Sequence, residues 1–217
     1  IDENETPCPI LTYSSSKFQN EQDIKNANNN YVILRLGSVY GYSTDTMRIN
    51  IMPNLFSKIA AQNGTINLFS GGNQLKSLVS VIDVVRCMKF MGENERINKE
   101  TFNLVKDSVT VKEVAEICKK FNTKTSIKVS VDEIPNSGYT LSNKKLLTTG
   151  FKFLYNLEES ISTMIRQWSY KQNEDDLEYI TRGEKEFIDK RGKISNYKLT
   201  EPINLIGYIE SAKGSMR

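Results

Sequence analysis

Apolar residues fall in short runs separated by polar, Asn-rich or Gly-rich breaks, and their spacing predicts alternating strands and helices. Residues 14–28 are polar with good helix formers, and Asn28-Asn29-Asn30 predicts where that helix stops. The run Tyr31-Val32-Ile33-Leu34-Arg35-Leu36, ending at Gly37, reads as a buried parallel strand. Between 49 and 61, Ile51, Met52, Leu55, Phe56, Ile59 and Ala60 recur at helical spacing, and Asn63-Gly64 closes that helix. Residues 65–69 and 78–82 read as short strands flanking a Gly71-Gly72 turn. Asp83 stands where an N-cap would open a helix carrying Val84, Val85, Met88 and Met91. A strand over 101–105 precedes Thr110-Val111-Lys112-Glu113, a capping-box pattern for a helix to about Phe121. Residues 127–131 suggest one more strand, and Asn156 opens a helix with the apolar stripe Leu157, Ile161, Met164, Ile165 and Trp168. Such alternation predicts an α/β fold.

Past Tyr170 the pattern turns polar, predicting a domain over 1–170 and a linker over 171–182. In 183–217, short apolar runs (Phe187-Ile188 and residues 203–209) are broken by Gly183, Gly192, Gly207 and Gly214. They suggest the opening strands of a β domain, too few to close one.

The 217 residues suffice for one domain with a full core, or one domain plus an appendage. With 38% hydrophobic and 25% charged residues, the composition is that of a globular chain. A net charge of +3, its basic residues spread along the chain, argues against nucleic acid as the main partner. The count of zero histidines excludes a Ser-His-Asp triad, a Cys-His pair and any His-ligated metal within this sequence. Cys8, Cys87 and Cys118 lie far apart without Cys-x-x-Cys spacing, so neither a metal site nor a disulfide framework is expected. No apolar run approaches the roughly 18 residues of a membrane span, and the acidic start is unlike a signal peptide. A cytoplasmic protein without a membrane partner is the expectation. The first residue, Ile1, suggests a piece of a longer product.

Tyr13-Ser14-Ser15-Ser16-Lys17 places a phenol and an ammonium four residues apart, on one face if the segment is helical. A nearby cation favours the phenolate, so such a pair can move a hydroxyl proton near neutral pH. The bare spacing equally fits a surface Tyr and Lys: with 10 tyrosines in the chain, about one such pair is expected by chance.

Its surroundings add to it. Pro9, Tyr13-x-x-x-Lys17, Glu21 and Arg35-Leu36-Gly37-Ser38-Val39-Tyr40-Gly41 resemble the second half of the extended short-chain dehydrogenases/reductases, the NAD-dependent sugar-nucleotide epimerases and dehydratases. The stretch Gly72-Asn73-Gln74-Leu75-Lys76 through Val81-Ile82-Asp83 is similar to that family's G-x-Q-x-R-x-x-x-x-V-x-D segment. Phe102-Asn103-Leu104 and Ser142-Asn143-Lys144-Lys145-Leu146, then Gly150-Phe151 and Leu157-Glu158-Glu159-Ser160-Ile161, follow in the family's order.

The resemblance covers about residues 1–170. It implies a partial Rossmann-like domain lacking its N-terminal half, a small α+β substrate domain and a short β-rich C-terminal extension. It implies Tyr13 as catalytic acid/base, and Lys17 as the residue that lowers its pKa and binds the nicotinamide ribose of NAD or NADP. Lys76 stands where the family has an Arg on the nucleotide diphosphate, keeping charge but losing the bidentate fork, and reads as a phosphate contact or a plain surface lysine. Ser38 replaces a common substrate-contacting Asn, and Tyr42 a common Pro, so sugar specificity is not copied from any one member. Arg35 and Asp83 read as structural, Asp83 as a cap. The implied partner is a nucleotide-activated sugar, a UDP- or dTDP-sugar, and a homodimer is in keeping with the family.

A dinucleotide site needs a Gly-rich strand-to-helix turn, and no Gly-x-x-Gly-x-x-Gly sequence occurs in the chain. Residues 187–217 resemble the start of a cupin-like sugar-nucleotide epimerase or isomerase domain. The expected activity is therefore that of an NAD-dependent epimerase/dehydratase incomplete in this chain. The alternative is a non-catalytic sugar-nucleotide-binding module or partner subunit.

Overall fold

The computed structural model describes residues 1–9, 11–43, 47–130 and 138–170. In chain order the elements are α1 (Thr12–Asn26), β1 (Val32–Leu36), β2 (Ser38–Tyr40), α2 (Met52–Ala61), β3 (Thr65–Leu68), β4 (Leu75–Ser80) and α3 (Val81–Gly92). Then come β5 (Glu100–Leu104), β6 (Asp107–Thr110), α4 (Val111–Phe121), β7 (Ser126–Val129), α5 (Lys144–Thr148) and α6 (Leu157–Tyr170).

The apolar strand β1 pairs in parallel with β5, from Val32 opposite Glu100 to Leu36 opposite Leu104. Immediately after it, β2 pairs in parallel with β4, which is antiparallel to β6 on its other edge. Gly37 is the point where the chain passes from one sheet to the next. A Cβ there would lie 2.6 Å from the Ser77 carbonyl oxygen and 2.7 Å from Val105 Cγ1, so only glycine admits this approach. Farther along, β3 and β7 form a third parallel pair.

Two cores fill the spaces between these layers. One joins α2, α4 and α6 to β3 through Phe56, Ile66, Leu68, Val114, Cys118, Ile161 and Met164. The other joins α3 and α5 to β5 through Val84, Cys87, Met91, Phe102, Leu104, Leu146 and Phe151. Each such side chain contributes on the order of 1.5–3 kcal/mol by leaving water. The stripe predicted for α6 packs as expected, with Trp168 half-buried beside it. Burial pushes the Cys87 and Cys118 thiols up to about 11 and about 12, as suits cysteines used for packing.

Several boundaries differ from the sequence expectation. Strand β4 starts at Leu75 instead of residue 78, because its first residues pair with β6 while exposed or half-buried, and no apolar run marks them. The cap of α3 is Ser80, whose hydroxyl accepts the Ile82 N–H at 3.3 Å. Asp83 therefore lies inside the helix and is fully buried, which corrects its reading as the cap. On α3 the buried row is Val84, Cys87 and Met91, steps of three and four residues that face β5. Val85 (59% exposed) and Met88 (52%) belong to neighbouring rows and face outward. The last strand is Ser126–Val129. The linker over 171–182 and the cupin-like segment over 183–217 lie outside the described residues. Among the described residues, no helix is long and apolar enough to cross a membrane.

Candidate active site

An open cleft of about 1160 Å³ runs between α1, the ends of β1 and β2, and the start of β4. Tyr13, Lys17, Ser38 and Lys76 all line it, so residues 63 positions apart in sequence meet at one surface.

Helix α1 carries the Tyr–Lys pair. Leu11 gives no side-chain cap; the Ser14 hydroxyl instead accepts the Leu11 N–H at 3.3 Å and donates to the Leu11 carbonyl at 2.9 Å. One turn apart, Tyr13 and Lys17 share a face, with Lys17 Nζ 5.5 Å from the centre of the Tyr13 ring. Tyr13 is 59% exposed and Lys17 is exposed, both open to a ligand in the cleft.

Ser38 opens β2 and is half-buried at the cleft wall. Lys76 reaches the cleft from β4. Burial, with no acidic side chain paired to it among the described residues, pushes its ammonium down to about 8. A partly desolvated cation is a ready site for an anion, because little hydration remains to be stripped on binding.

Behind these groups sits Arg35 on β1, whose Nε and Nη2 donate to the Glu21 carboxylate of α1 at 3.0 and 2.6 Å. Lys25 donates to the same carboxylate at 2.6 Å. Burial alone would raise the Glu21 pKa, but the Arg35 and Lys25 bonds outweigh it and hold the carboxyl below its usual range.

Asp83 stands at the far end of α3 from Gly92, against the 154–155 segment. Its carboxylate accepts the Leu154 N–H at 3.1 Å and the Tyr155 N–H at 3.0 Å, and it pairs with Arg86. That arrangement fits the structural role expected for it, through loop anchoring instead of capping. Over the cleft, Asn54 turns the chain after β2: its Oδ1 accepts the Gly41 N–H at 3.0 Å and its Nδ2 donates to the Arg48 carbonyl at 3.0 Å. Met47, Arg48 and Tyr139 also line the cleft, and no pattern in the sequence pointed to any of them. Tyr42 packs edge-on against Trp168 at 5.3 Å and so couples the cleft rim to α6.

The chain is similar to known proteins in sequence and in fold. Residues 1–104 match the NAD dependent epimerase/dehydratase family. Over 124 aligned residues the chain is 31% identical to the "Putative UDP-glucose 4-epimerase" of Methanocaldococcus jannaschii, covering 50% of this chain and 41% of the relative. Among solved structures, a UDP-glucose 4-epimerase of Thermotoga maritima with UDP-glucose matches with TM-score 0.70 at 20% identity, over 80% of this chain and 58% of that one. A UDP-glucuronic acid 4-epimerase of Bacillus cereus, in complex with UDP-glucuronic acid and NAD, matches with TM-score 0.65 at 19% identity, over 77% and 56%. A dTDP-glucose 4,6-dehydratase of Bacillus anthracis in complex with NAD gives TM-score 0.63 at 19%, over 76% and 53%. The chain thus spans about half the length of the relatives it matches. At these identities the likeness to solved structures shows the fold alone, a Rossmann-like α/β architecture.

Proposed function

We propose that this chain supplies the acid/base pair and the nucleotide-sugar wall of an NAD-dependent epimerase or dehydratase acting on a UDP- or dTDP-sugar. The observation that carries the reading is the meeting of Tyr13, Lys17, Ser38 and Lys76 at one cleft, within a stretch that matches the epimerase/dehydratase family.

Tyr13 takes a proton from a sugar hydroxyl in one direction and returns it in the other. The Lys17 ammonium beside the ring stabilises the phenolate that forms and stands ready to donate to a ribose hydroxyl. Ser38 offers a hydroxyl to the sugar, and Lys76 a positive charge to the diphosphate. NAD, when bound, supplies a hydride acceptor and donor. The exposed faces of Tyr13 and Lys17 fit its ribose end. The 217 residues contain no glycine-rich turn for its pyrophosphate, so those contacts belong to chain beyond this sequence or to a partner. The second reading is a non-catalytic module that binds the nucleotide sugar through the same cleft and works with a partner.

Replacing Tyr13 by Phe in the protein as it occurs in its source separates the two. The enzyme reading predicts loss of turnover by at least about 100-fold, the scale of a general acid/base, with NAD binding retained. A variant with a near-normal rate would falsify it. Saturable UDP-sugar binding by a natural protein that neither binds NAD nor turns over would instead establish the module.

A further inference from the structure

We infer that the Glu21–Arg35 ion pair is a positioning clamp that sets Tyr13 and Lys17 against the cleft, an inference that rests on the role proposed above for that pair. Helix α1 has no buried residue and no apolar stripe, so the hydrophobic effect does little to fix where it lies. Phe18 is half-buried, and the strongest directional link from α1 to the sheet is the Arg35 guanidinium, closing two bonds of 3.0 and 2.6 Å on one carboxylate. The site is partly desolvated, with the Glu21 side chain 10% and the Arg35 side chain 21% exposed. A two-pronged bond there fixes orientation as well as distance. The third guanidinium nitrogen, Nη1, donates to the Glu3 carbonyl at 3.3 Å, tying the segment ahead of α1 to the same point.

Spacing gives the clamp its leverage. Tyr13, Lys17 and Glu21 follow at steps of four and share one face of α1. Eight residues at 1.5 Å put Tyr13 about 12 Å along the axis from Glu21, so a tilt of about 5° at the clamp moves the phenol by about 1 Å. Misplacement of a catalytic group by about 1 Å costs on the order of 100-fold in rate. Arg35 is on β1, three residues before Ser38, so the same strand that grips α1 also leads into the substrate wall.

The test compares Glu21→Gln, Arg35→Gln, Arg35→Lys and the double Glu21→Gln/Arg35→Gln with wild type and Tyr13→Phe. The natural-length protein is assayed with UDP-glucose and NAD, and hydrogen exchange along α1 is followed in parallel. The clamp predicts kcat lower by about 10- to 100-fold in both Gln variants, with KM for the sugar nucleotide within about twofold. The double variant falls no further than either single one, and Arg35→Lys lies between because it keeps the charge but not the fork. Exchange quickens across α1 while β1 and β5 keep their protection. If Tyr13→Phe abolishes turnover but the Gln variants keep wild-type kcat, or α1 stays as protected as in wild type, the clamp is overturned. If Tyr13→Phe leaves the rate unchanged, the acid/base role itself falls and the clamp's catalytic meaning with it.

Discussion

At the scale of single residues, burial decides what a charged side chain can be. Asp83 is 0% exposed and accepts two backbone N–H groups from the 154–155 segment besides pairing with Arg86. Asp83→Asn keeps the shape, removes the charge and turns an acceptor into a donor facing donors. Urea unfolding should show a loss of about 2 kcal/mol, the cost of leaving a buried N–H donor without its acceptor. Lys76 is the opposite case, a half-buried cation without an acidic partner among the described residues, with its ammonium pushed down to about 8 by desolvation. An anion would favour the charged form, so UDP binding should take up a proton above pH 8 and weaken as pH rises through about 8. Lys76→Met should abolish that pH dependence, while Lys76→Arg should bind with no loss up to pH 9. Calorimetry in buffers of different ionisation heat checks both. In the free protein the sign is reversed: the folded state holds fewer protons than the unfolded one above about 8, so Lys76 adds stability as pH climbs toward the usual lysine range.

Among elements, legibility in the sequence follows how strongly each one buries an apolar face. Helix α6 and its stripe, strand β1 and the start of α4 were all readable, because periodicity or a capping box announces them. In α4 the Thr110 hydroxyl accepts the Glu113 N–H at 3.1 Å, and the Glu113 carboxylate accepts the Thr110 N–H at 2.6 Å. Thr110→Ala should cost about 1 kcal/mol by the same unfolding assay. The Glu113 carboxyl is held below its usual range first by its backbone bond to Thr110 and next by the hydroxyl, so its share of stability is present at neutral pH and lost as pH falls through that lowered value. Less legible were β4, which opens on an exposed Leu75 and a half-buried Lys76, and α3, where apolar residues occupy outward rows as well as the inward one. Ser80 and Asp83 are both plausible caps by residue type. The 154–155 backbone donors, 71 and 72 positions away, together with Arg86, hold Asp83 inside. Helix α1 was read from its good helix formers and the Asn28-Asn29-Asn30 stop, since it lacks the stripe that marks the others.

For the molecule as a whole, two cores share one cleft. The α2–α4–α6 core holds up the rim through Tyr42 and Trp168, and the β5–α3–α5 core underlies the strands that lead into Ser38 and Lys76. The order of motifs along the chain foretold that these residues belong together. It did not foretell Met47, Arg48 or Tyr139, which enter the cleft from loops with no pattern of their own. The most direct test of this cleft as a nucleotide-sugar site is backbone amide shift mapping on the isotopically labelled 217-residue chain as UDP-glucose is added. Saturable shifts centred on Ser38, Lys76 and Tyr139, weakened by Lys76→Met, are the predicted result. No saturable change, or changes gathered on the outward faces of α3 and α4, would contradict the account.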